Sequence, residues 1–565
     1  MTAAIAALAA CTAAPPPPLV TSPAAHTTLV QPANTTQVVV GVDGITGGYN
    51  PHELADQSAV TTALANLLLP SVFRTAPDGT PTLDRTLLVS AQVINASPFT
   101  VQYQIRTDAS WSDGTPVDAA DFVYLRNQMI SQPGVVDPAG YQLISGITAR
   151  DNEKVVTVTF AKAYPAWRSL FADLLPAHLL KDAPGGFANA LSGGFPATAG
   201  PFDIKTLDTG GGEIVLERSD RYWDKPSVLD QIILTKADNQ GMVDALRSRS
   251  DQMAYTRVDA TGLNLLRQLG DSIDLRSVPR AELATVLLRP GSPQLADQAT
   301  RAAVAAAINR SALVVTGTGN GPSANLTANA LVTAPTGTGY TATMPAGAPG
   351  ATPTPAQVPG LLAQAGYVSS GGAWTRNGHQ LSLVIAAPAG REPYVSIANQ
   401  LKAQLVGAGI AATTVTPDPA QLYEQLLNPN VGNPNGGTGG TGQPIDIVVG
   451  PQPAGGDPAT ELASWFGCTA ASAGSAGGQG AVSAGPLGWC DPNLQPTVDD
   501  ALTGEISVSD ALAHVEPALW AQAVEIPLFQ VSDELAVGPQ VSGVDGGPPM
   551  AGPFFGAATW NRTNG

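Results

Sequence analysis

Apolar and polar residues alternate across residues 98–111 (PFTVQYQIRTDASW), the period of a strand with one buried face. From residue 118 the period lengthens to that of a helix (DAADFVYLRNQMI, 118–130), and Asp118 stands where an N-cap belongs. The same change of period recurs along the chain. Residues 35–44 (TTQVVVGVDG) predict a strand ending in a glycine-rich turn, followed by a helical run over 55–69. Residues 154–171 run from strand into helix, 213–223 and 228–237 read as strands, and 239–250 as a helix. A second half opens with the strand 285–290 (TVLLRP). Helices at 296–315, 357–367 and 392–409 and strands at 380–387 and 410–415 follow. Residues 518–534 (ALWAQAVEIPLFQVSDE) return to helix and strand, which predicts that the chain crosses back to pack on the first half. Strands alternating with helices make the fold class α/β. Three stretches, near 317–355, 428–443 and 469–486, carry neither period. Rich in Gly, Pro, Thr and Ser, they are predicted to be flexible surface insertions that bury too little apolar area to order themselves.

A chain of 565 residues exceeds one compact domain. Acidic residues outnumber basic ones by 45 to 27, and no Lys/Arg stripe interrupts the net charge of −18, which argues against nucleic acid or an anionic lipid surface as an electrostatic partner. The first residues are more specific. Leu8-Ala9-Ala10-Cys11 follows a short apolar run and matches a bacterial lipobox, so Cys11 is expected to carry the lipid, with 12–36 as a Pro-rich tether. No Lys or Arg precedes that run as a secretory signal requires, so the start lies upstream or was trimmed. No other stretch approaches the roughly 18 unbroken apolar residues of a membrane span. The expected location is the extracytoplasmic face of the bacterial plasma membrane, with the membrane reached through the lipid anchor only. That oxidising compartment favours pairing Cys468 with Cys490.

Catalytic chemistry is hard to find. None of His26, His52, His178, His379 and His514 has a partner at metal-ligand spacing, so no metal is predicted. No nucleophile elbow, phosphate loop or dinucleotide fingerprint occurs, and carboxylate pairs such as Asp499-Asp500 lie in polar segments. Neither an enzyme nor a cofactor is expected.

Residues 109–124 (ASWSDGTPVDAADFVY) closely resemble the signature of family 5 extracellular solute-binding proteins, the peptide- and nickel-binding lipoproteins of importers. Trp111, Asp113, Gly114, Pro116, Val117, Ala119 and Asp121 carry the match. TAGPFDI, LERSDRYW, LADQATRAAVAAAINRSALV, LLAQAGY, QLVGAGI and EIPLFQ continue it in the expected order, from about residue 38 to 533. This resemblance implies a type II periplasmic-binding-protein-like fold: two hinged lobes plus the extra subdomain of the peptide-binding class. Lobe I would comprise 37–55, 198–285 and 515–565, the extra subdomain 56–197, and lobe II 286–514. PGVVDPAGYQLI and AYPAWRSLFADLLPAHLLKDAPGGFA are further similar to a mycobacterial lipoprotein subgroup of this fold, linked to phosphatidylinositol mannoside and lipoarabinomannan assembly.

The resemblance also gives meaning to a bare loop. Peptide-binding members end a strand in Gly-Trp-x-x-Asp-x-x-Asp-Pro, and the first Asp pairs with the peptide's α-ammonium group. Here the sequence reads Gly450-Pro451-Gln452-Pro453-Ala454-Gly455-Gly456-Asp457-Pro458, so that acid is Ala454, unless the register slips and Asp457 takes its place. A charge-assisted hydrogen bond of this kind is worth roughly 1.5–3 kcal/mol. Leu288-Arg289 stands where the family has Phe-Asn, and its guanidinium suits hydroxyls, phosphate or carboxylate. The expected cleft residues are Tyr49, Tyr255, Arg289, Gln452, Ala454, Asp457 and Trp465, although Tyr49 and Trp465 also fit a core and Gln452 a solvated position. Three functions remain open. The protein binds a glycolipid in the inter-lobe cleft; it delivers a peptide or other small solute to an ABC permease; or it regulates a membrane mannosyltransferase with a vestigial cleft.

Overall fold

The computed structural model describes residues 36–45, 47–427, 445–469, 482–483 and 485–563. Cys11, the tether to residue 35, the predicted insertion at 428–443 and most of that at 469–486 lie outside the described residues. The main sheet has ten strands: β1 (Gln37–Val42), β2 (Phe202–Asp208), β3 (Glu213–Arg218), β4 (Gln231–Lys236), β5 (Met253–Thr256), β6 (Asp274–Leu288), β7 (Ser382–Ala386), β8 (Ala411–Val415), β9 (Ile447–Pro453) and β10 (Glu525–Val537). Their order is β8-β7-β9-β6-β10-β5-β1-β4-β3-β2. The sequence-first half of the chain supplies one side and the second half the other, with β6 and β10 between. At about 3.3 Å per residue these two strands are roughly 40–50 Å long, enough to run through both lobes.

β6 and β10 pair antiparallel in two stretches. Residues 274–279 face 537–532 and 283–287 face 530–525, with a break in register between Pro279 and Leu283. Proline cannot donate to a ladder and is tolerated at such a bulge. The break in this ladder falls at 279–283 on β6 and 530–532 on β10. The end of helix Val508–Gln522 is tied to second-half residues: Gln298 Nε2 donates to the Ala521 carbonyl at 2.8 Å and Arg301 Nε to that of Gln522 at 2.9 Å.

The extra subdomain is built on four antiparallel strands, in the spatial order Leu88–Ala96, Phe99–Ile105, Val155–Phe160, Ile144–Arg150. The alternation read in the sequence buries Val101, Tyr103 and Ile105 on one face. The signature motif beside it is architectural. Gly114 turns the chain at φ +93°, where a side chain would be strained. Asp118 and Asp121 form a capping box on helix Ala119–Ser131. Asp121 also accepts from Trp111 Nε1 at 3.1 Å and from the Ala177 N–H at 2.9 Å.

Two expectations change. The helix predicted over 296–315 is two helices, Gln298–Ala307 and Arg310–Thr318, because Asn309 caps the second by accepting the Ala312 N–H. The stretch 317–355, expected to lie at the surface, packs in part into the core: Ala328, Ala330, Leu331, Val332 and Ala334 are buried. Buried Glu516 accepts the N–H groups of Leu331 and Val332 at 3.1 and 3.2 Å and the Thr343 hydroxyl, while Arg310 donates to the Pro527 and Ala328 carbonyls. Side-chain partners on distant elements take the place of a regular ladder here.

Candidate functional site

The break between β6 and β10 is also where charge gathers. With the ladder interrupted, Arg280 and Glu282 project beside Asp533. Arg280 grips Asp533 with two donors, Nε to Oδ2 at 2.5 Å and Nη2 to Oδ1 at 2.7 Å, and lies 3.9 Å from Glu282. The Tyr394 hydroxyl donates to Glu282. Asp43, just past the end of β1, is reached by water but crowded by surrounding protein. Burial pushes its carboxyl up despite the pull of Arg280. Arg280 and Glu282 floor a cavity of about 120 Å³, lined also by Gln57, Ser58, Tyr255 and Met550. A second cavity of about 150 Å³ lies between the subdomain and lobe II, with Leu54, Ile130, Asp137, Pro453 and Trp465 among its walls. Pockets for drug-sized ligands run to roughly 300–1,000 Å³. A larger ligand requires the lobes to part.

Contacts hold the lobes together on the cleft rim. Arg391 of lobe II donates to the Gln57 and Ala55 carbonyls at 3.2 and 3.1 Å. Tyr164 shares a hydrogen bond of 2.7 Å with Thr460, and the Ala139 N–H donates to Ser464 Oγ at 3.2 Å. Between them, Glu461 Oε1 accepts the N–H groups of Gly455 and Gly456 at 2.7 and 2.6 Å. A side chain begun at Gly456 would meet that oxygen at 3.3 Å and Asp137 Oδ2, from the subdomain, at 3.4 Å. Burial and then Asp457 raise the Asp137 carboxyl to about 7, and burial and then Asp137 push Glu461 well above the carboxylate range. Carboxyls this close cannot both be ionised cheaply.

The predicted residues divide. Tyr255 lines the first cavity, its ring 6.1 Å from that of Phe554, and burial, with Asp533 close by, raises its phenol. Ala454 is 2% exposed. It packs with Leu283, Ala328, Ala334 and Met550, while its N–H donates to the Ala281 carbonyl at 3.0 Å. Gln452 is buried on β9 and donates to the Leu331 carbonyl at 2.8 Å. Trp465 lines the second cavity and donates to Glu525 at 3.1 Å. Asp457 caps helix Pro458–Phe466, accepting the Thr460 N–H and hydroxyl at 2.9 and 2.8 Å, which commits it to the helix start rather than to a ligand amine. A disulfide joins Cys468 and Cys490.

Two residues do not belong to the cleft. Tyr49 is a core residue, tucked in after Gly48 turns at φ +90°. Arg289 stands at the far end of β6, several residues beyond the break in the ladder. Its guanidinium is spent on the carbonyls of Pro486, Ile445 and Leu426 at 3.2, 2.9 and 3.1 Å, and burial lowers its pKa to about 10. Sequence reasoning missed Arg280, Glu282, Asp533, Arg391 and Met550. Pro279 inside a strand-like run was the available signal, since proline there marks a bulge.

The sequence profile described as bacterial extracellular solute-binding proteins, family 5 Middle, matches residues 86–469. The chain is 35% identical to a protein of Mycobacterium tuberculosis (strain ATCC 25618 / H37Rv) named probable monoacyl phosphatidylinositol tetramannoside-binding protein LpqW, over 98% of this chain and 96% of that one. It is 31% identical to the oligopeptide-binding protein OppA of the same strain, over 46% of this chain and 45% of that one. Among solved structures, the oligopeptide-binding protein AppA from Bacillus subtilis, in complex with a nonapeptide, superposes with a TM-score of 0.73 at 16% identity, covering 94% of this chain and all of that chain.

Proposed function

The chain belongs to the family 5 bacterial extracellular solute-binding proteins, and on that premise we propose that it binds the mannosylated headgroup of a phosphatidylinositol mannoside rather than a peptide. The observation that carries this reading is the packing of Ala454. Where peptide-binding members place an amine-seeking carboxylate, this chain has a methyl group among Leu283, Ala328, Ala334 and Met550. A peptide would leave its ammonium group buried without a partner there, at a cost of several kcal/mol. The full-length likeness to a tetramannoside-binding relative supplies the ligand class. In the proposed cycle the lobes part at the broken ladder of β6 and β10, and Gln57, Ser58, Arg280 and Glu282 meet sugar hydroxyls with both donors and acceptors. Cys11 holds the protein to the outer face of the plasma membrane, where the ligand resides, and a membrane mannosyltransferase is the partner such binding would regulate.

The OppA likeness favours a second reading, delivery of a peptide to an ABC permease. Native mass spectrometry of the protein extracted from its own membrane separates the two. A co-purifying mannolipid is expected; an oligopeptide held in its place overturns the proposal.

A further inference from the structure

Met550 sits in a backbone conformation that its side chain makes costly. It is the third residue of a Pro548-Pro549-Met550-Ala551 turn, closed by the Ala551 N–H donating to the Pro548 carbonyl at 3.0 Å, and its φ is +61°. Turns with positive φ at that place favour glycine. Glycines are plentiful nearby, at 546, 547 and 552, yet this position has a long thioether. The strap belongs to lobe I: Asn66 donates to the Ala551 carbonyl at 3.1 Å, and Gly552 lies against the Tyr255 hydroxyl. The side chain points the other way. It packs on Leu283, Ala328, Ala334 and Ala454, and a side chain begun at Gly455 would meet its sulfur at 3.3 Å. It also lines the cavity floored by Arg280 and Glu282. Ala328, Ala334 and Ala454 lie on lobe II, so this contact exists only while the lobes are together.

We propose that Met550 is a specificity-determining plug, filling the pocket over Ala454 so that any ligand reaching that pocket must displace it. The inference rests on the reading of Ala454 as a wall of the ligand cleft. A plug of this kind acts twice. It occupies the volume that the first residue of a peptide would need, which is discrimination by exclusion. It also stabilises the joined lobes without a ligand, so the apparent affinity of every ligand is reduced by the fraction of molecules that are open. The positive φ is the cost of placing a flexible side chain where the strap's own turn would prefer none.

The test begins without a ligand. Ala454→Cys, made together with Cys11→Ser, places the one free thiol in the pocket, since Cys468 and Cys490 are disulfide-bonded. Its rate of reaction with a small maleimide reports how often the pocket is uncovered. Adding Met550→Gly, which suits the turn and should leave the far-UV circular dichroism unchanged, is expected to raise that rate at least tenfold. Met550→Leu, which keeps the bulk, should leave it near the parent value. An unchanged rate in the glycine variant overturns the plug. Calorimetry on proteins with native Ala454 then uses the deacylated tetramannoside headgroup and trialanine as probes. Met550→Gly is expected to bind the headgroup about tenfold more tightly, equivalent to about 1.4 kcal/mol. Weaker or equal binding overturns the competition between plug and ligand. If the thiol rate rises and the headgroup binds to no variant, the plug stands and the proposed ligand falls.

Discussion

The loop from Ala454 to Asp457 borders two regions with opposite chemistry. At its first residue a methyl group packs on Leu283, Ala328, Ala334 and Met550. Two residues on, Asp137, Asp457 and Glu461 converge on Gly456. The acids survive at the second place because they have local means of support. Glu461 takes two backbone N–H groups, Asp457 caps a helix, and raised pKa values let protons replace missing cations. The first place offers none of these. A carboxylate there would depend on a cation brought from outside the cluster. Carboxylates in this loop therefore serve the joining of the lobes, and those at the first cavity, Glu282 lining it and Asp533 paired with Arg280, come from β6 and β10 instead.

The most disruptive way to break this contrast is Ala454→Asp. A carboxylate buried among four apolar side chains should cost about 3 kcal/mol of stability near neutral pH, less in acid where it protonates. Chemical denaturation at pH 5 and 8 measures both parts, and a variant as stable as the parent at pH 8 would show the pocket to be polar. A smaller effect sharpens the acidic side. Asp137 binds its proton up to about pH 7 when folded, mainly because of burial and then because of Asp457, against about 3.9 when unfolded. The folded state thus takes up a proton in that interval, and stability falls as pH rises from about 4 through about 7, by at most about 1.4 kcal/mol per pH unit for each proton. Asp137→Asn should flatten this slope and be relatively more stable at pH 8, as read by urea midpoints across the window; an unchanged slope would remove Asp137 from the proton balance. The smallest change is Asp457→Ala, which deletes a helix cap and should cost about 1 kcal/mol, with unchanged headgroup affinity. A loss of ligand affinity beyond that cost would return Asp457 to the binding site.

Local periodicity made much of the frame legible. The alternation at 99–105 and the cap at Asp118 were set by neighbours in sequence, and the order of motifs carried the fold. The break in the ladder was harder, because it depends on how β6 and β10 slide past each other, about 250 residues apart in the chain. Segment 317–355 was misread in part for a related reason. Composition shows its Gly, Pro and Thr, but not the single glutamate at 516 that ties down Leu331 and Val332. In the cleft, Tyr255 and Trp465 were legible as cavity-lining candidates, whereas the floor was not. Arg280 and Asp533 are 253 residues apart and meet only once the ladder is assembled. Arg289 looked equally suited to a ligand, and only its three carbonyl partners on lobe II reveal a structural staple.

β6 and β10 have one more implication, for taking the protein apart. Each is a single continuous strand lent to both halves, and every residue of β10 is buried. Neither half, produced separately, would possess a complete sheet of its own. Cutting the gene at the break in either strand would expose a long row of unpaired main-chain groups, an invitation to aggregate. Heating should therefore melt the two halves in one calorimetric peak.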